Sequence, residues 1–136
     1  ICLAVCHGAM LDSTHNFELH NLIANTYERG AIVASVGHGY CGILNVRLSD
    51  GSYLVNGKIL TGPSWWEEKL ALVSQKVPFN AEELAKERGA EYIRWKRPYR
   101  GSAAVTNGLV TGHNNFSSAD TVASSVCDEL ARLSEG

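Results

Sequence analysis

Apolar residues along this chain fall into short unbroken runs, separated by stretches in which they recur every three or four positions. Ile1-Cys2-Leu3-Ala4-Val5-Cys6 and Ala31-Ile32-Val33-Ala34-Ser35-Val36 are the clearest runs, and each reads as a strand buried on both faces. Between them, Phe17, Leu19, Leu22, Ile23 and Tyr27 keep close to helical spacing. This predicts a helix from Asn16 to Arg29, with Asn16 as N-cap and Gly30 as the C-terminal stop. Strand, helix and strand in that order make a βαβ unit with parallel strands.

The second strand runs into Gly37-His38-Gly39 and a short helical stretch from Tyr40 to Val46. Ser49-Asp50-Gly51-Ser52 and Asn56-Gly57 signal turns. A short strand is expected from Lys58 to Thr61, then a helix from Trp65 to Val73 with Trp66, Leu70 and Val73 on one side. Asn80 caps a further helix from Ala81 to Arg88, and Tyr92 to Trp95 reads as a strand. Asn107-Gly108 joins Ala103–Val105 to Leu109–Thr111 in a hairpin. The last helix, Ser118 to Leu133, should turn Val122, Val126, Leu130 and Leu133 inward. No linker or repeat interrupts the pattern, so residues 1–136 are expected to form one α/β domain.

The opening run raises an expectation about partners. A strand apolar on both faces normally has sheet neighbours on both sides. The domain is therefore expected to be N-terminally incomplete, completed by a second polypeptide or a further segment, in a dimer or hetero-oligomer.

Composition narrows the classes. Hydrophobic residues make up 45% of the chain and charged residues 19%, an ordinary globular balance. The net charge of −2 gives no electrostatic case for nucleic acid. No apolar run reaches the roughly 18–20 residues that span a bilayer. The four cysteines form no Cys-x-x-Cys pair and read as reduced thiols of a cytoplasmic protein; Cys2 and Cys127 are expected in the core. No Cys/His cluster has ligand spacing, so no metal is expected.

Two segments carry chemistry on a shared plan: Ala4-Val5-Cys6-His7-Gly8 and Ser35-Val36-Gly37-His38-Gly39. Each is a strand ending in x-His-Gly. In open α/β sheets, chemistry gathers at the carboxyl ends of adjacent strands. A strand-to-helix elbow exposes its tip residue and aims backbone N–H groups at the same point.

These segments resemble the ThiJ/PfpI superfamily, in its glyoxalase III-like and heat-shock-chaperone branch, which shares the class I glutamine amidotransferase-like fold. His7-Gly8-Ala9-Met10-Leu11-Asp12 is similar to the family's Gly-Gly-His-Gly-Ala-Met-Trp-Asp loop. Val36-Gly37-His38-Gly39 is similar to its Val-Cys-His-Gly elbow. Leu48-Ser49-Asp50-Gly51-Ser52-Tyr53 through Leu60-Thr61-Gly62, Val77-Pro78-Phe79, Arg88-Gly89-Ala90 and Leu109-Val110-Thr111-Gly112-His113-Asn114 follow in the family's order.

The resemblance implies a flavodoxin-like sandwich, with a mostly parallel sheet and helices on both faces, lacking the family's first strands. It implies an elbow cysteine as nucleophile, an assisting His, a Glu from a segment preceding this chain, and no dissociable cofactor. Here Gly37 stands at the nucleophile position, and a positive φ is expected there. Cys6 is either a buried small hydrophobe or a displaced nucleophile. His7 and His38 are the candidate acid/base residues. Gly8, Gly37 and Gly39 are candidates for an oxyanion pocket. Cys41, which reads first as packing beneath the loop, and His113, at a pocket rim, complete the set. One of Trp65 and Trp66 is expected in the core, the other at a pocket or subunit contact.

Two functions follow. One is a subunit of a cofactor-independent enzyme acting on a small carbonyl or amide-type electrophile through a cysteine thiolate. The other is a non-catalytic scaffold, binding or regulatory subunit.

Overall fold

The computed structural model describes residues 1–94, 102–114 and 117–136. Its main sheet is built from β1 (Cys2–Val5), β2 (Val33–Gly37), β5 (Ala103–Thr106) and β6 (Leu109–Gly112), in the order β1-β2-β6-β5. β1, β2 and β6 run parallel, with Val5 opposite Gly37 and Val36 opposite Gly112. β5 is antiparallel to β6 through the Asn107-Gly108 turn, where φ is 44° and 78°. Such a left-handed pair matches the strand twist. A second, two-stranded parallel sheet pairs β3 (Ile59–Leu60) with β4 (Glu91–Tyr92). It joins the main sheet through side chains: Thr111 Oγ1 accepts from the Thr61 backbone N–H at 2.9 Å.

The helices are α1 (Ala9–Asp12), α2 (Phe17–Glu28), α3 (Trp65–Leu70), α4 (Ala81–Glu87) and α5 (Ala119–Glu135), with a 3-10 turn at His38–Gly42. Strand alternation divides the core between the faces. Val33 and Leu109 meet Ile23, Tyr40, Ile43, Leu44, Leu54 and Leu60 on one side. Ala34, Val36 and Val110 meet Val122 of α5 on the other. This is the mostly parallel α/β sandwich implied by the resemblance.

Local departures have clear causes. β1 is not buried on both faces. Among the described residues it is the outermost strand, with Cys2, Ala4 and Val5 exposed and only Leu3 half-buried. Its apolar letters describe a strand fit for neighbours, and among the described residues β2 is its one sheet neighbour. α3 reverses the expected orientation: Trp66 and Leu70 are exposed, Trp65 and Val73 are half-buried, and Glu68 is buried. That helix packs toward polar partners, so hydrophobic periodicity misreads its inner face. On α5, Val122 is buried and Val126 packs against it, but Leu130, Leu133 and Cys127 are exposed because the helix outruns the short strands beneath it. Cys2 is likewise exposed. β4 ends at Tyr92, and Trp95 lies outside the described residues.

Candidate functional site

The pairing of Val5 with Gly37 sets the two x-His-Gly turns side by side at the carboxyl ends of β1 and β2. After β1 the chain turns straight into α1, with Ala9 N–H bonded to Cys6 O and Met10 N–H to His7 O. After β2 it passes through Gly37, at φ 60° and ψ −134°, into the 3-10 turn. That conformation is strained for any residue with a Cβ. Gly39 lies directly under β1: a Cβ there would come within 2.0 Å of the Leu3 carbonyl oxygen.

α3 supplies the third side. Its start is fixed by a capping box, in which Ser64 Oγ accepts from the Glu67 N–H at 3.3 Å and Glu67 Oε2 from the Ser64 N–H at 2.8 Å. Glu82 of α4 accepts the Trp65 N–H at 3.0 Å, and its carboxylate is also bridged by Lys86 and Arg94. The segment before α3 is held by tyrosines: Tyr40 donates to Pro63 O and Tyr92 to Gly62 O. Tyr40 and Tyr92 are both pushed up by burial and stay neutral donors.

So placed, α3 directs Glu68 between the two turns. Glu68 Oε2 accepts from His7 Nε2 at 3.0 Å, and Oε1 accepts from His38 Nε2. The imidazole rings lie 3.9 Å apart between centroids, tilted by 36°. His38 and Glu68 are buried; the His7 side chain is 49% exposed and faces the opening. Burial alone would raise the Glu68 carboxyl, but the bonds from His38 and His7 outweigh it and hold it below the ordinary 4.5. Next to it, Glu67 Oε1 accepts from His113 Nε2 at 2.7 Å. Burial opposes this carboxyl too, and His113 and the Ser64 N–H hold it low.

A cavity of about 370 Å³ opens onto this cluster, lined among others by Cys6, His7, Gly37, His38, Glu67, Glu68 and Asn114. The structure thus brings Cys6, His7, Gly37 and His38 to one wall. The other residues singled out from the sequence stand apart from that wall. Gly8 begins α1, with open space beside it, and Gly39 packs behind the turn. Cys41 belongs to the hydrophobic core, where burial, and then the Glu68 charge, push its thiol far up. His113 is wholly buried behind Glu67 rather than at a rim, and its Nδ1 has no partner among the described residues. Cys6 is exposed.

Neither Glu67 nor Glu68 is among the candidates that the sequence motifs single out. An acid was expected from a segment outside this chain. The signal was present in Ser64-Trp65-Trp66-Glu67, a capping-box pattern that fixes the register of the next residue, Glu68.

No family model matches the chain. Among curated proteins, it is 28% identical over 127 residues to the glutathione-independent glyoxalase HSP31 of Saccharomyces cerevisiae, covering 88% of this chain and 53% of that protein. It is 26% identical over 117 residues to glutamine amidotransferase-like class 1 domain-containing protein 1 of Bos taurus, covering 86% and 53%. Among solved structures, Rapid Encystment Protein 24 KDa of Francisella tularensis superposes with a TM-score of 0.85 at 25% identity, over 94% of this chain and 58% of that one. Glyoxalase III of Candida albicans superposes with a TM-score of 0.77 at 22% identity, over 95% and 56%, a likeness of fold. The fold and the paired strand-end turns define a domain of the glutamine amidotransferase-like α/β class. Within that class its homologues are glyoxalase III/Hsp31-like and glutamine amidotransferase-like proteins, and its structural neighbours have the ThiJ/PfpI fold. It spans about half the length of the curated relatives it matches. No helix among the described residues is long and apolar enough to cross a membrane.

Proposed function

We propose that the chain carries the reactive side of a cofactor-independent ThiJ/PfpI-type enzyme, one that acts on a small carbonyl or amide-type electrophile, with Cys6 as the thiol. The observation that carries this reading is the convergence of Cys6, His7, His38 and Glu68 on one cavity beside a side-chain-free elbow. Several relatives bear the name glutathione-independent glyoxalase, which makes a 2-oxoaldehyde the first substrate to try. In this reading the Cys6 thiol gives its proton to an imidazole and its sulfur adds to the carbonyl carbon. The C=O π pair moves to oxygen, where the His38 N–H at the elbow stabilises the charge. Glu68 keeps both imidazoles oriented.

The edge of β1 supports a second element of the proposal. Cys2, Ala4 and Val5 of this strand are exposed, and an exposed apolar strand invites another strand, here from a second polypeptide or a further segment, in a cytoplasmic assembly. Sedimentation of the purified chain should show a dimer or hetero-oligomer; a stable monomer with no second polypeptide removes this element.

The thiol is tested by iodoacetamide labelling at neutral pH with peptide mapping, beside 2-oxoaldehyde turnover. Cys6 should label at least several-fold faster than Cys127, which is also exposed, and Cys6→Ser should abolish turnover. Equal labelling, with no turnover to lose, favours instead a non-catalytic scaffold or regulatory subunit. The glycine at the elbow speaks for that alternative.

A further inference from the structure

The sequence shows no metal-ligand spacing, because the three residues concerned lie on three separate segments: His7 after β1, His38 after β2 and Glu68 in α3. The fold closes that separation. One Nε2 or Nδ1 atom from each histidine and one Glu68 oxygen all lie within 4.8 Å of one another. We propose that His7, His38 and Glu68 form a two-histidine, one-carboxylate site for a divalent transition ion such as Zn²⁺, and that the loaded form is the inactive one.

The donor set is the first argument. Imidazole nitrogen and carboxylate oxygen suit Zn²⁺, and two histidines with one glutamate are an open, three-ligand set that leaves positions for water or substrate. Geometry is the second. Bonds to zinc of about 2.0–2.2 Å place ligand atoms roughly 3–4 Å apart. His7 Nε2 already stands 3.0 Å from Glu68 Oε2, and the other Glu68 oxygen meets His38 Nε2. Side-chain adjustments on the order of an ångström bring all three to one ion. Access is the third: the cluster opens onto the cavity, and His7 is half-exposed while His38 and Glu68 are buried, so the ion has an entry side and a fixed base. Gly37 projects no side chain into the space beside them.

The regulatory half rests on the function proposed above. An ion on the imidazole nitrogens withdraws them from proton transfer with the Cys6 thiol. Metal binding and thiol chemistry then exclude each other, and occupancy is a switch set by free ion concentration.

The test uses the whole chain, stripped by a chelator and titrated with Co²⁺ as a spectroscopic probe, followed by displacement with Zn²⁺. The expected result is one equivalent with visible d–d bands and no thiolate-to-cobalt charge-transfer band. Affinity should fall at least tenfold in His7→Gln and in Glu68→Gln and stay unchanged in Cys6→Ser. His7 is half-exposed, so His7→Gln keeps the test informative if Glu68→Gln folds poorly; circular dichroism checks both. Absence of saturable binding, equal affinity in His7→Gln, or a charge-transfer band lost in Cys6→Ser each overturns the site. Zn²⁺ at one equivalent should abolish 2-oxoaldehyde turnover; turnover undiminished at full occupancy overturns the regulatory half. A metal-free protein with no turnover at all speaks against the proposed function and leaves the binding result standing.

Discussion

The two x-His-Gly turns share letters and a place at the ends of neighbouring parallel strands, yet they are physically different objects. The turn after β2 is central. Its histidine is buried, its first glycine takes φ 60°, which a residue with a Cβ could adopt only under strain, and its second glycine is wedged under β1. The turn after β1 stands at the sheet edge. Its histidine is half-exposed, and its glycine has ordinary helical geometry at φ −54° with nothing near. Sheet position, rather than the motif, decides which residue is fixed and which is adaptable. The fixed turn anchors Glu68, and the open turn presents Cys6 and His7 to the cavity.

The largest expected effect that tests this contrast is at the glycines. Gly39→Ala puts a methyl 2.0 Å from a backbone oxygen that cannot swing aside, and should cost about 3 kcal/mol of stability. Gly8→Ala should change stability by less than about 0.5 kcal/mol. Urea unfolding of both variants measures the difference, and equal costs would show the two turns to be equivalent. The histidines come next. His38→Ala removes a buried partner of a buried carboxylate and should cost about 2 kcal/mol, against less than about 1 kcal/mol for His7→Ala. Thermal unfolding of the two variants gives the order.

The smallest effect is a pH dependence in a third region, where a carboxylate is held by cations instead of imidazoles. Burial would raise Glu82, but the Trp65 N–H, Lys86 and Arg94 outweigh it and hold it below 4.5. A group with a depressed folded pKa contributes stability that is present above its unfolded value and lost as pH falls through the folded one. Stability of the wild type should therefore decline as pH drops below about 4.5, and the part due to Glu82 should be missing in Glu82→Gln. Parallel denaturation curves from pH 7 to 3 for both proteins are the measurement; identical slopes would remove Glu82 as the source.

What could be read in the sequence followed from strong local signals. Asn16 and Asn80 cap their helices, Asn107-Gly108 turns its hairpin, and Gly37 takes a positive φ. Long-range placement was harder to read. Val5 and Leu3 have the letters of a core strand, and only the strand order reveals an edge. Trp66 and Leu70 have the letters of an inner helix face, but α3 turns that face to solvent because Glu68 has two imidazoles to meet. Period-based reading assigns the apolar stripe inward, and it fails where a helix packs on a polar site. His7, His38 and Glu68 are separated by 30 or more residues, so no spacing rule could have joined them.

The way α3 is held has a consequence for tolerance to change. Six residues of helix amount to a rod of about 9 Å. Its start is moored by three contacts, in which Ser64 and Glu67 clasp each other, Glu82 grips Trp65, and His113 grips Glu67, and His7 and His38 hold Glu68 itself. Glu68 sits one residue beyond the capping box, so its aim combines the register set by its neighbours with the bonds from the two imidazoles. At the far end Leu70 and Leu72 lie in solvent, and Leu72 has a left-handed φ of 58°. The chain just beyond the rod folds back on the working residue, where the Val73 and Ser74 N–H groups both donate to Glu68 O. Substitutions at the exposed Leu70 can therefore accumulate without moving the carboxylate, whereas insertions between Leu70 and Ser74 disturb the segment bonded back to Glu68.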